Sequence, residues 1–489
     1  MNRRDAIARL VAAGTLAPFR ELRAASSDVR SYGLKPDARP EVNAAALQRC
    51  FNDNRGGQVS VPGAAAEYQI AGPVTVSEGT TLVLGDGARL RWVSTAEGSG
   101  SAILRTKSRP GLEVMGGGFR LTGRGQILGP SRGVFVPLEI GLLCVGGGRD
   151  NLHRGFEISD GVEFRDWGSH GIAGQFVQGL RVHDVTVRDC GYAGMQFLSC
   201  QDGQFFSNHV VGITPGADGN AYGMSFTHDS FEYSSDPNAE RDPRHVKNPF
   251  CTGIEVAHNV VEDVPLWCGI DFHGAYECHA HNNEVYNCRN GLTLQGSSGM
   301  ATGFAGENNS AEDNTVTINR KSGEPSTITS DIRLGVSVNG GKVLRHRSII
   351  VKNNTIDGYG DAKHTSFALQ HTYTENAEIS SNHLTRWRGY GCYSAYSSGV
   401  IAGNRFGPVL DPTGTACIMV AIGGALRIVD NRLDPQGGRT AQYGLYLNTP
   451  ADAPYDVQGN DFRAASVAAY TGPAGHPLLP RQLVGGRPR

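Results

Sequence analysis

The chain has 489 residues, of which 66 are glycine and 39% are hydrophobic, too apolar for a disordered chain and too glycine-rich for a helix bundle. Its 45 Lys+Arg balance 47 Asp+Glu, so no global field gathers nucleic acid or an anionic membrane surface. No apolar run is long enough to span a bilayer. The first segment reads MNRRDAIARLVAAGTLAPF, with Arg3-Arg4 ahead of an apolar stretch from Ala6 to Phe19. That is the pattern of a twin-arginine export signal. Residues 1–27 are therefore set outside the fold, and the protein is expected to be periplasmic or secreted.

The segment 29–90 follows, opening VRSYGLKPDARPEVNAAALQRCFNDN. It predicts a helix around Asn43–Phe51, then Pro62-Gly63 and a series of short strands. This opening module resembles that of the pectate-lyase-like superfamily, which includes pectate lyases, polygalacturonases, alginate lyases and epimerases, and phage tailspikes. The resemblance spans residues 29–465. It implies an all-β chain wound as a right-handed parallel β-helix, with the helix capping the open end of the coil.

The residues downstream point to the same coil independently. VEFRDWGSHGI (162–172), VTVRDCGYAGM (185–195), NVVEDVPLWCGI (259–270) and NEVYNCRNGL (283–292) share one grammar of short strand, Asn or Asp, turn, and glycine before an apolar residue. The aligned glycines are Gly171, Gly194, Gly269 and Gly291, and the gap from 194 to 269 reads as three turns. A second marker is an Asn ahead of a short strand, at Asn208, Asn259, Asn283, Asn314, Asn354, Asn382, Asn404, Asn431 and Asn460. Asn tolerates left-handed backbone, and its amide can bond the next turn, so these positions predict a ladder. Strands of three to five residues in repeats of this length give about ten to twelve turns, a rod roughly 50–60 Å long at ~4.8 Å per turn. The domain is read as 28–475, with an inserted loop at 212–250 and a loose tail at 476–489. The spacing of the ten cysteines lacks CxxC pairs, which argues for buried thiols rather than zinc. No disulfide is expected among Cys268, Cys278 and Cys288.

Such a coil buries inward side chains and displays outward ones in straight rows. The outward pairs include Gln196/Leu198, Ser225/Thr227, Asp271/His273, Thr293/Gln295 and Ser337/Asn339. Only GIDFHG (269–274) sets a carboxylate beside an imidazole, with Ile270 and Phe272 facing inward by the period of two. The charged insertion ahead of it carries His228, Asp229, Glu232, Tyr233, Arg244 and Lys247, a composition suited to the wall of a sugar cleft. GIDFHG also resembles the D-P-H element of alginate C5-epimerases, which implies catalytic roles for Asp271 and His273. Phe272 stands in place of the Pro, Gly274 in place of an acid, and Cys268 where the family has Tyr; Tyr222, Tyr233 or Tyr276 would substitute, and Lys247 or Arg289 would supply the neutralising cation.

Three functions fit this reading. The first is β-elimination or C5 epimerisation on an acidic extracellular polysaccharide, with His273 as base or donor, Asp271 orienting it, His228 as partner, and Lys247 or Arg244 neutralising the uronate. The second is glycoside hydrolysis by a carboxylate pair, Asp229 and Asp271, with Glu232 in reserve. The third is a non-catalytic sugar-binding coil. Glu232, Tyr233, Lys247, Arg244, Gln196, Gln295 and Thr293 are the expected substrate contacts. No metal ligands are assigned and no cofactor is required, although Ca2+ is compatible with the cleft. The partner is a polysaccharide, with no nucleic acid and no membrane span, and a homotrimer is the expected assembly if the coil oligomerises.

Overall fold

The computed structural model describes residues 26–93, 111–131, 134–137, 139–148, 150–217, 219–227, 250–295, 306–317, 337–339, 342–357, 367–422, 424–448 and 455–472. Residues 1–25, where an export signal is expected, the expected tail from 476 and residues 228–249 of the insertion lie outside the described residues.

Short parallel strands stack turn upon turn. One sheet runs through fifteen of them among the described residues, from Ser26–Asp28 to Tyr455–Gln458. Its register steps along Gln58, Thr81, Arg120, Glu157, Arg181, Gln204, Glu255 and His279. At ~4.8 Å per step this makes a coil of roughly 65–70 Å, longer than the ten to twelve turns expected. The first turns carry neither the Asn marker nor the glycine step, so the sequence pattern undercounts them. The other sheets are built from the remaining strands of each turn. One rung departs from the expected pattern: Ser337–Asn339 pairs antiparallel with Lys342–Leu344 rather than continuing the parallel row.

Helix α1 (Pro40–Asp53) has proline in its first turn, where the missing N–H costs nothing. It buries Asn43, Ala46, Leu47, Cys50 and Phe51, the i, i+3, i+4, i+7, i+8 stripe of an amphipathic helix. Asn43 Nδ2 donates to Gln69 O at 3.0 Å and Gln48 Nε2 to Thr75 O at 2.9 Å, which tie the helix to the first turns.

The asparagine ladder forms as the spacing predicts. From Asn208 through Asn259, Asn283, Asn314, Asn354, Asn382, Asn404 and Asn431 to Asn460, each Nδ2 donates to the next Oδ1 at 2.9–3.0 Å. The left-handed residue is the one before each Asn, not the Asn itself: Ser207, His258, Asn282, Asp313, Asn353, Ser381, Gly403, Asp430 and Gly459 all have φ between 54° and 64°. The Asn side chain is thereby freed to point along the coil, where it satisfies buried backbone groups of the adjoining turn.

Five strands carry the face that bears Asp271 and His273: β1 (His170–Gln175), β2 (Ala193–Leu198), β3 (Tyr222–Thr227), β4 (Val260–His273) and β5 (Glu284–Gln295). Ile172, Met195, Met224, Ile270 and Leu292 lie in register, as do Gly174, Phe197, Phe226, Phe272 and Leu294. Except for Gly174, these residues belong to the continuous core. One glycine in each of these strands allows the turn to close on it. A Cβ on Gly171, Gly194, Gly223, Gly269 or Gly291 would meet a core valine methyl at 2.2–2.6 Å. Gly223 splits the interval between Gly194 and Gly269 into two turns, not the three expected; the second is long because it contains residues 228–249.

Candidate functional site

On the opposite surface of these strands, Ala173, Gln196, Ser225, Asp271 and Thr293 form one row, and Gln175, Leu198, Thr227, His273 and Gln295 run beside it. The period of two thus places Asp271 and His273 on the outer side of the sheet, as the sequence predicts. Their exposure differs from the expectation of a bare polar row. Asp271 is 0% exposed, and Ser225, Thr293 and Gln295 are also buried. The reason lies in the rung spacing, which brings these side chains within reach of one another.

Thr293 Oγ1 donates to Asp271 Oδ1 at 2.5 Å and Gln295 Nε2 donates to the same oxygen at 3.0 Å. Ser225 Oγ, one rung earlier, lies 3.4 Å from Oδ2. His273 Nδ1 is 3.4 Å from Asp271 Oδ2 and 3.4 Å from Gln295 Nε2. The imidazole keeps 25% of its side-chain surface, so it is the solvent-facing member of the pair. The carboxylate is oriented from neighbouring strands rather than from a loop, which fixes it rigidly.

Of the expected contacts, Thr293 and Gln295 are brought to Asp271. Gln196 is not; its Oε1 accepts from His170 Nε2 at 2.8 Å, and Ser169 Oγ completes that chain 2.6 Å from His170 Nδ1. Burial holds the His170 imidazole down to about 4, so it is neutral at ordinary pH. Tyr222 sits in register with Cys268, one rung from the position where the epimerases have their Tyr, whereas Tyr276 packs on Phe250 at the far side of the turn. His228, Asp229, Glu232, Tyr233, Arg244 and Lys247 lie outside the described residues. The chain enters that segment directly from Thr227 at the end of β3.

An aromatic shelf adjoins this row, and the sequence reading missed it. Ala193, Tyr222 and Cys268 form a small apolar cluster of their own on the outer side, flanked by Tyr192 and Trp267. Tyr192 meets Tyr222, His170 and Phe135 edge-on at 5.5, 5.3 and 6.3 Å between centroids. The available signal was Pro265 inside an otherwise regular strand, which marks a bulge.

Residues 218–410, well under half of the chain, match the family model described as periplasmic copper-binding protein (NosD). No curated protein matches the chain. Among solved structures, the N-terminal fragment of gene product 12 of bacteriophage Phi29 is similar at a TM-score of 0.54 and 14% identity, covering 95% of this chain and 74% of that one. The family 28 exopolygalacturonase of Yersinia enterocolitica is similar at 0.46 and 14%, covering 90% and 78%. The catalytic unit of the GH87 α-1,3-glucanase of Streptomyces thermodiastaticus strain HF3-3 is similar at 0.45 and 12%, covering 92% and 69%. With a parallel register that runs through fifteen strands among the described residues, the chain has the fold of a right-handed parallel β-helix.

Proposed function

We propose that the protein is an exported carbohydrate-active enzyme and that its reaction is glycoside hydrolysis on a polysaccharide lying along the face of β1 to β5. The observation that carries this reading is the Asp271 carboxylate, aimed by Thr293 and Gln295 beside His273 on a rigid strand. Hydrolysis needs one carboxyl group to protonate the leaving oxygen and another to activate water or attack the sugar. The second carboxylate in this reading is Asp229, two residues after Thr227 in the sequence. Helix α1 closes the end of the coil, and the twin-arginine segment directs the protein out of the cytoplasm.

One observation favours elimination or epimerisation as the second reading: the imidazole is the exposed partner and the carboxylate lies behind it, the order in which a buried Asp orients a His base. The two reactions part at the product. Purified protein is incubated with a polysaccharide panel while reducing ends and absorbance near 235 nm are both followed. Hydrolysis yields reducing ends without absorbance, and elimination yields both. Asp271→Asn should lower kcat by ~10²-fold or more in either case. Asp229→Asn should nearly abolish hydrolysis but leave elimination measurable. Full activity in both variants would refute the site.

The name of the matching family raises copper. Among the described residues no three His, Cys, Asp or Glu side chains come together as a metal-binding set. The thiols of Cys251, Cys278 and Cys288 are buried, and burial pushes them upward, Cys278 to about 12. A copper site built on sulfur needs thiolates. The described residues do not fit a copper centre.

A further inference from the structure

Strands β6 (Phe367–Thr372), β7 (Tyr390–Ala395), β8 (Ala416–Ile422), β9 (Tyr443–Leu447) and β10 (Ala468–Thr471) form a parallel sheet of their own. Leu369, Cys392, Ile418 and Leu445 lie in register and face the core. The outward residues make two rows. Phe367, Tyr390, Ala416, Tyr443 and Ala468 form one, and Gln370, Tyr393, Met419, Tyr446 and Thr471 run beside it. None of these positions is charged, and half of them are aromatic. Phe367 lies 5.9 Å from Tyr390 and 4.6 Å from Tyr393 between ring centroids, at 13° and 29°. Tyr443 and Tyr446 are 5.9 Å apart at 32°. The rings are half-buried rather than sealed in the core. None of the four tyrosine hydroxyls makes a hydrogen bond among the described residues. Rings that pack on one another have little freedom left to lose when a ligand arrives. An outward aromatic cluster of this kind marks a place where something docks.

The sheet continues the face that bears Asp271. In the fifteen-stranded sheet, Asp271 is followed by the strand of His279 and Tyr393 by the strand of Val400, and the register between them steps through Ser310, Ile350 and Glu378. Tyr393 is therefore four rungs from Asp271, and Tyr446 is two further, through Arg427 and Asp456. At ~4.8 Å per rung the separations are roughly 19 and 29 Å. The cluster is too remote to touch a bond that reacts at Asp271, and it is in line with a chain that extends from there. We propose that Tyr390, Tyr393, Tyr443 and Tyr446, with Phe367, form a platform that holds an uncharged stretch of glycan away from the reacting bond. The proposal rests on the carbohydrate-active reading and narrows this ligand to neutral sugars. A neutral sugar ring presents an apolar C–H face and a rim of hydroxyls, and tyrosine answers the first with its ring and the second with its phenol. A uronate would bring a carboxylate onto a surface whose two rows carry no cation, where its desolvation goes uncompensated. A second copy of the chain would also suit an uncharged aromatic face, but the unpaired hydroxyls and the alignment with Asp271 favour the glycan.

The test measures binding apart from turnover. Asp271→Asn serves as the background, so that no chain is consumed, and calorimetry follows oligomers of glucose, mannose and galactose, with oligogalacturonate as the charged control. At least one neutral oligomer should bind, with an affinity that salt leaves unchanged. Tyr393→Ala/Tyr446→Ala should weaken that binding ~10-fold or more and leave any binding of oligogalacturonate as it was. Tyr393→Phe/Tyr446→Phe, which keeps the rings and removes the hydroxyls, should be intermediate. Circular dichroism melts check that each variant is folded, and Tyr393→Thr/Tyr446→Thr, which keeps good strand formers, stands in if the alanine variant is not. Sedimentation of the wild-type protein over a range of concentrations tests for a second copy. The proposal is overturned by no binding of any neutral oligomer, by unchanged neutral binding in the folded alanine or threonine variant, or by self-association that these substitutions abolish. Failure of the hydrolase reading shows elsewhere, as the absence of new reducing ends from the wild-type protein, and leaves the binding result intact.

Discussion

Asn314 lies near the middle of the ladder, and replacing it with alanine has a consequence that follows from its bonds. Its Oδ1 accepts from Asn283 N at 3.0 Å and from Asn283 Nδ2 at 2.9 Å, and its Nδ2 donates to Ala280 O and Asn354 Oδ1 at 2.9 and 3.0 Å. Asn314→Ala removes all four and leaves two buried donors of Asn283 without acceptors. An orphaned buried polar group costs about 1–3 kcal/mol, so the change should destabilise the coil by about 4 kcal/mol. Asn208 makes the comparison. It heads the ladder, and its Oδ1 accepts only from Val185 N at 3.2 Å, so Asn208→Ala orphans one donor and should cost about half as much. Urea denaturation followed by circular dichroism gives the ranking. Hydrogen exchange gives the mechanism, since the Asn283 amide should lose protection in Asn314→Ala and keep it in Asn208→Ala. Equal losses in the two variants, or an Asn283 amide that stays protected in both, would refute the idea that the ladder stabilises by satisfying donors across rungs.

Three further outcomes are expected. A Cβ on Gly269 would lie 2.6 Å from Val285 Cγ1 and 2.7 Å from Gly291 O, so even Gly269→Ala should destabilise by about 1–3 kcal/mol; an unchanged melting temperature would contradict the close approach. His371 is buried in the core, its Nε2 has no partner among the described residues, and burial lowers it from 6.5 to about 3. The unfolded chain takes up that proton first, so stability is full above pH 6.5 and falls as pH drops toward 3; His371→Leu should flatten the acid limb, and an unchanged limb would refute the assignment. All ten cysteines are free and buried, so denatured, unreduced protein should titrate ten thiols and the native protein almost none; a shortfall in the denatured count would reveal a bridge.

The coil was legible because its two markers are backbone requirements. An Asn that bonds the next turn and a glycine that lets a strand approach a valine are hard to replace, so they recur visibly. The interval between Gly194 and Gly269 read as three turns because its length was divided evenly, whereas Gly223 divides it into two and the inserted segment 228–249 makes up the difference. The facing of Asp271 and His273 was also legible, since a period of two decides it. The burial of Asp271 was not, because it arises from Ser225, Thr293 and Gln295, residues up to 46 positions away that only the stacking brings together. The Trp267 shelf was hidden for a similar reason: a bulge is a mismatch between two strands, and one strand alone shows only an awkwardly placed proline.

The rung that carries Ser225 and the rung that carries Asp271 are held by their own hydrogen bonds, whatever lies between Thr227 and Phe250. The ends of that connection are pinned, so lengthening it costs little, because closure entropy grows only with the logarithm of loop length. The turn is therefore a socket. Segments of different length and charge can be exchanged there through evolution or engineering while Asp271, His273 and the aromatic shelf keep their places, so that the surface beside them can change on an unchanged frame.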